Sequence, residues 1–232
     1  MREIINLRLG IYEKEGVNDI DMNVSFWAKR MHSLTGVVPL GCFLFEHLFS
    51  SFLLVFGFPR FIAQVEFLWS MPCLCVLELG LIFLPLAYHA GYGIYLAVTA
   101  QDNFRVYPTF ANFMFIVQRV SGIVLFIFVV VHLWETRVQK MIYDDSAEQL
   151  AQRMVHILAS NWKISFYVIG VTAAVIHFCR GLASFVTTWG IVVNPRMQRL
   201  VNWGVCTLGV VLLTFGLGAL IACRYLGNGA TA

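Results

Sequence analysis

The stretch CLCVLELGLIFLPLAYHAGYGIYLAV (Cys73–Val98) decides the fold. It is a long apolar run interrupted by one acid, Glu78, and one histidine, His89. A bilayer core of about 30 Å is crossed by about 20 helical residues. Backbone polar groups find no water at that depth, so they must pair within a helix. Outward from this run, four more of the same kind appear: Leu34–Phe56 before it, and Phe113–Trp134, Ile164–Trp189 and Val201–Ala222 after it. The reading is an all-α membrane protein, a bundle of five transmembrane helices, I to V. Helix I is expected to start ahead of its apolar run, near Asn23 to Trp27, with Asn23 or Ser25 as cap. Gly57, Pro59, Pro72, Pro108 and Pro195 punctuate the connections, which are expected to be short. The exception is Glu135–Lys163, where Asp144, Asp145, Glu148 and Gln149 leave room for a surface helix.

Composition agrees. Of 232 residues, 59% are apolar and 12% charged, against about 25% charged in soluble domains, so apolar surface must face lipid. The net charge is +3 and no basic run points to nucleic acid. Residues 1–26 are of mixed charge without an apolar core, so no secretory signal is expected. They form an N-terminal cytoplasmic segment, followed by a membrane domain over 27–226 and a tail over 227–232. The six cysteines fall in or beside apolar segments and suit small buried side chains rather than disulfides. No CxxCH occurs, so covalent haem is not indicated. With the N-terminus inside, nine loop Lys and Arg residues face inward (Arg2, Arg8, Lys14, Lys29, Arg30, Arg105, Arg119, Arg196, Arg199) and six outward (Arg60, Arg137, Lys140, Arg153, Lys163, Arg224). That excess sets the orientation, N-terminus inside and C-terminus outside.

Ionisable groups within a membrane are costly and point to function. Four of the six histidines sit one per helix: His47 in I, His89 in II, His132 in III and His177 in IV. His47 lies 17 residues after Arg30 and His132 13 after Arg119, on helices running outward. His89 lies 17 after Pro72 and His177 14 after Lys163, on helices running inward. Each is therefore about 20–25 Å from the side where its helix starts. His47 and His132 meet in the outer half and His89 and His177 in the inner half, at levels about 10–15 Å apart. Two imidazoles at one level are the donor set of a six-coordinate haem iron, and two such levels imply two stacked haems b.

Small residues on these faces offer room for a flat ligand: Gly93 and Gly181, one turn from His89 and His177, Gly36 on the face of His47, and Gly170 on that of His177. Ser33 and Gln118 face inward near the inner end. With Arg30, Arg119 and Arg180 they are candidates for the haem propionates. His32, about 60° off the face of His47, reads as interfacial, and His156 as a surface residue.

RMHSLTGVVPLG (Arg30–Gly41), FEHL (Phe45–Leu48), FLPLAYHAGYGIY (Phe83–Tyr95), VQRVSGIV (Val117–Val124), VHLWETR (Val131–Arg137), IHFCRGLASFVTTWGI (Ile176–Ile191) and NPRMQR (Asn194–Arg199) resemble the b-type cytochrome subunit of succinate dehydrogenases and fumarate reductases. The likeness is to the single-chain, five-helix, two-haem form and spans roughly residues 25–225. It implies His47 and His132 on the outer haem and His89 and His177 on the inner one. It also implies menaquinone as quinone substrate, a flavoprotein subunit carrying FAD and an iron–sulfur subunit docked on the cytoplasmic face of a bacterial inner membrane. Some fumarate reductases of this type carry a glutamate two residues before the fourth ligand, linked to proton transfer. Here that position is Val175.

Quinone redox moves protons with electrons, so a carboxylate near the outer haem is expected. Glu78 shares the face of His89 about 16 Å further out, Glu135 is one turn past His132, and Glu46 adjoins His47. Two other classes fit a histidine-bearing bundle: a cytochrome b anchor of a formate dehydrogenase or hydrogenase, and a haem-free transporter.

Overall fold

The computed structural model describes residues 19–99 and 104–229, and side chains from 25 to 99 and 104 to 227. Most of the expected N-terminal segment, the end of the tail and four residues of the II–III connection lie outside the described residues. Among the described residues, five helices are long and apolar enough to cross a membrane: Ser25–Phe56, Leu74–Thr99, Phe110–Tyr143, Asn161–Thr188 and Pro195–Gly227, spans I to V. Spans I, III and V start at one end of the bundle, here the near end, expected to be the inner one. Spans II and IV start at the other, the far end.

The bounds differ from the apolar runs for identifiable reasons. The first helix already runs from Asp19, so neither Asn23 nor Ser25 caps it. Pro39 has no N–H to donate, and span I divides there into Asp19–Val37 and Pro39–Phe52, closing in a 3-10 turn at Leu53–Phe56. Span II carries a π-turn at Leu79–Phe83, just ahead of Pro85. The wider turn accommodates the proline ring and the carbonyl it leaves unpaired. A second π-turn, Trp134–Val138, carries span III on to Tyr143 instead of Trp134. Span V begins at Pro195 instead of Val201, because proline suits a first helical turn and Asn194 Oδ1 accepts from Arg196 N at 2.8 Å.

The I–II connection is not a short loop. Gly57, at φ 99°, turns the chain into a helix over Phe58–Trp69 that has Pro59 in its first turn. The residues read as loop punctuation are helix-start signals instead. Phe61 and Val65, four apart, bury one face of this helix. The III–IV connection does form the expected helix, Ala147–Ala159. It opens with a capping box between Ser146 and Gln149 and buries Ala147, Ala151 and Leu158. Asp145, 7% exposed at its side chain, anchors it through an ion pair with Arg153.

Span IV is the central element, packed on III, V and the first half of I. Leu48, Val175, Cys179 and Leu212 form one core between I, IV and V. A second core at the far end joins Leu54, Phe61, Val65, Phe128, Leu158, Tyr167, Val171 and Leu220, so it pins both connecting helices to the bundle. All six cysteines are unbridged. Only Cys179 and Cys223 are buried, and the expectation of buried positions fails for Cys42, Cys73, Cys75 and Cys206, which are exposed. Span II is the outlier, with no buried residue in its apolar window. It leans on the first half of span I, where Tyr88 Oη donates to Ala28 O at 2.9 Å. Between it and the rest runs a cavity of about 1810 Å³.

Candidate functional site

All four membrane histidines line this cavity. They pair as their depths require. The His47 and His132 ring centroids are 5.7 Å apart, and those of His89 and His177 6.1 Å. An imidazole–metal bond is about 2.0–2.1 Å, and a ring centroid lies about 1.1 Å behind its nitrogen, so one metal between two imidazoles separates centroids by about 6 Å. Both pairs meet that spacing, and the cavity exceeds the 300–1,000 Å³ usual for one small ligand. The site fits two planar iron macrocycles, one per level.

The second nitrogens support the same reading. His89 Nδ1 bonds His32 O at 2.9 Å and His177 Nδ1 bonds Gln118 O at 3.0 Å. His132 Nδ1 lies 3.4 Å from Tyr167 Oη. A histidine that ligates through Nε2 carries its proton on Nδ1 and donates it to such an acceptor. Close backbone approach makes room for the near pair. A Cβ on Gly36 would fall within the His89 imidazole, and one on Gly122 would lie 2.8 Å from His177 Cε1. Gly36 thus serves the histidine of span II, although it shares the cavity with His47. Gly122 carries no histidine-spaced signal on its own helix, and only the III–IV crossing reveals it.

Of the other glycines, Gly93 lines the cavity, whereas Gly170 and Gly181 do not. A Cβ on Gly93 would lie 3.2 Å from His32 Cε1, and one on Gly181 would lie 3.5 Å from Gln118 Nε2. Gly170 gives its space to Phe128 of span III. His32 is not merely interfacial: its ring stacks on His89 at 4.1 Å and 10° and lines the cavity. Nothing in its spacing on span I marks it, since its role depends on the packing of span II. His156 is exposed on the Ala147–Ala159 helix, as read.

The polar candidates separate. Gln118 and Arg119 line the near part of the cavity, with Lys29 and His32. Gln118 Oε1 is buried without a hydrogen-bond partner, an orphan acceptor that a protonated or hydrated ligand group would satisfy. Arg30 and Ser33 instead serve Trp189. The guanidinium lies 5.1 Å from the Trp189 ring, and Trp189 Nε1 donates to Ser33 Oγ at 3.0 Å. Arg180 is outside the cavity lining, with Nε buried and unpaired.

Each candidate carboxylate is engaged. Glu78 pairs with Arg137 across spans II and III at the far mouth of the cavity. Glu46 also lines the cavity and accepts from Ser50, which in turn accepts from Gln64 Nε2 at 3.2 Å. Glu135 is turned out of the cavity, pairs with Lys163 and accepts from Tyr167 Oη at 2.9 Å. Val175 is 2% exposed in the I–IV–V core and does not line the cavity.

Comparison with known proteins decides the family. A model for the succinate dehydrogenase/fumarate reductase transmembrane subunit matches residues 99–218. The succinate dehydrogenase cytochrome b558 subunit of Bacillus subtilis (strain 168) is 42% identical over 200 residues, which cover 86% of this chain and 98% of that protein. The chain belongs to the succinate dehydrogenase/fumarate reductase cytochrome b subunit family. In this multi-pass cytochrome subunit the histidine cavity therefore lies within the membrane. The formate dehydrogenase, hydrogenase and transporter readings fall away. The chain is a subunit of a succinate dehydrogenase complex.

Proposed function

We propose that the subunit encloses two haems b within the five-span bundle and connects menaquinone to a flavoprotein–iron–sulfur pair docked at the near, cytoplasmic end. The observation that carries the reading is the pairing of four imidazoles at two levels, 5.7 and 6.1 Å between centroids. When bound, the haems supply one-electron carriers at two depths. His47 and His132 hold the far one, and His89 and His177 the near one. Gln118, Arg119, Lys29 and His32 are placed for the near propionates. Arg30, Ser33 and Arg180 support that end without lining it. The relative is named a cytochrome b558, in keeping with non-covalent haem b.

At the far mouth, Glu78 and Arg137 offer a carboxylate and a cation to a quinone headgroup. Glu78 is the best placed of the three acids to exchange its protons. Glu46 is a second candidate inside the cavity, and Glu135, outside it, is the weakest. The near-end loops show an apolar surface out of place in water. Val106 is 71% exposed and Val193 77%, with Tyr107 and Ile191 beside them. Arg105, Arg196 and Arg199 flank these residues in sequence. A partner subunit covering this surface suits it, and the loop-charge count agrees with a cytoplasmic near end. The domain limits 27–226 fall two residues inside the start of span I at Ser25 and one residue inside the end of span V at Gly227.

The deciding experiment is purification with native partners followed by haem extraction and reduced-minus-oxidised spectra. Two haems b per chain and succinate- or fumarate-linked quinone turnover are expected. Intact complex without protoporphyrin iron would overturn the reading.

A further inference from the structure

The two levels hold their histidines differently at Nδ1. At the near level the acceptors are neutral backbone carbonyls, His32 O and Gln118 O. At the far level the acceptor is a side chain. Tyr167 is 2% exposed, and its hydroxyl lies 3.4 Å from His132 Nδ1 and donates to Glu135 Oε2 at 2.9 Å. The other Glu135 oxygen takes Lys163. A hydroxyl can donate once and accept twice, so Tyr167 can accept from His132 while it donates to Glu135. The ring is held for this contact. Phe128, one turn earlier on span III, stacks on His132 at 5.5 Å and 16° and meets Tyr167 edge-on at 5.3 Å and 89°. The bare Cα of Gly170 leaves the space that Phe128 occupies.

We propose that Tyr167 is a positioning residue for the far haem, linking the outward nitrogen of its ligand His132 to the Glu135 carboxylate and so setting that haem's potential apart from the near one's. The inference rests on the haem reading above. A hydrogen-bonded chain that ends on an anion polarises each member. It makes the imidazole a more basic ligand, which favours ferric over ferrous iron. Lys163 partly cancels the carboxylate charge and so weakens the effect. The two residues therefore act in opposite directions, which a purely structural role for Tyr167 does not require.

The test uses the whole complex with its native partners. Haem content and a potentiometric titration of both haems are compared for the wild type, Tyr167→Phe, Glu135→Gln and Lys163→Gln. Tyr167→Phe should keep both haems and shift the far midpoint upward. The ferric preference should fall about tenfold, or about 59 mV for a one-electron couple, with the near midpoint unmoved. Glu135→Gln should shift it the same way, and Lys163→Gln the opposite way. Unchanged midpoints in Tyr167→Phe with both haems present, or equal shifts of both haems, overturn the proposal. Should Tyr167→Phe lose the far haem, Glu135→Gln decides: an upward shift of the far midpoint supports the link and no shift ends it. His132→Leu separates the two readings. If that variant keeps both haems, the ligand assignment itself has failed.

Discussion

The near and far halves of the bundle solve the same problem with different means. In the near half, His89 and His177 rest against the backbones of the facing spans at Gly36 and Gly122, and backbone carbonyls take their Nδ1. In the far half the histidine rings lie on phenylalanines one turn earlier, Phe43 for His47 and Phe128 for His132, at 5.4 and 5.5 Å. Two connecting helices, three partly buried ion pairs and a side-chain relay surround them. Among the described residues, the near end carries short exposed loops. On the function proposed above, the near face receives a protein partner, which an open face with a rigid backbone suits. On the same proposal the far face receives a lipid-soluble quinone, and closure by helices and paired charges suits a site that must exclude bulk water.

The largest effects should come from the ligands. His47→Leu or His132→Leu should remove the far haem and leave the near one. His89→Leu or His177→Leu should do the reverse, read as loss of one component in reduced-minus-oxidised spectra. Equal losses across the pairs would break the two-level comparison outright. Next come the glycines. Gly122→Val should displace His177 and cost the near haem, with the far haem retained. Gly170→Val, which collides with Phe128, should disturb only the far one. If Gly122→Val binds both haems normally, backbone approach is not what seats the near pair.

A smaller effect is expected at the far mouth. Glu78→Gln should slow quinone turnover about 100-fold, the lower limit for loss of a proton-exchanging group, while haem content and dye-linked succinate oxidation stay at wild-type level. Unchanged quinone turnover would reduce Glu78 to a partner of Arg137. At the far lid, Asp145→Ala leaves Arg153 without its buried partner and should lower stability by about 1–3 kcal/mol in detergent melts. The smallest change is Ser146→Ala. It removes one half of the capping box and should cost about 1 kcal/mol, with no change at the near level.

Much of this was legible in the residues. Five apolar runs specify five spans because lipid leaves the backbone no alternative to the helix. Histidine depth follows from a rise of 1.5 Å per residue, so the pairing of His47 with His132 and of His89 with His177 needed no coordinates. The Phe58–Trp69 helix was hidden because Gly57 and Pro59 look alike at the end of one helix and the start of the next. The π-turns of spans II and III were hidden because hydrophobicity has no period to reveal a single wider turn among residues that are nearly all apolar.

What the sequence alone determined is the number of spans and the height of each imidazole, both properties of one helix in lipid. Tertiary structure decided which groups from other spans meet each ring: Gly122 under His177, His32 on His89, Tyr167 and Glu135 behind His132, and Arg137 beside Glu78. The physical reason is that height is set along a helix axis, whereas contact depends on how helices rotate and cross. Those rotations arise from close packing among many residues at once, and no single span encodes them.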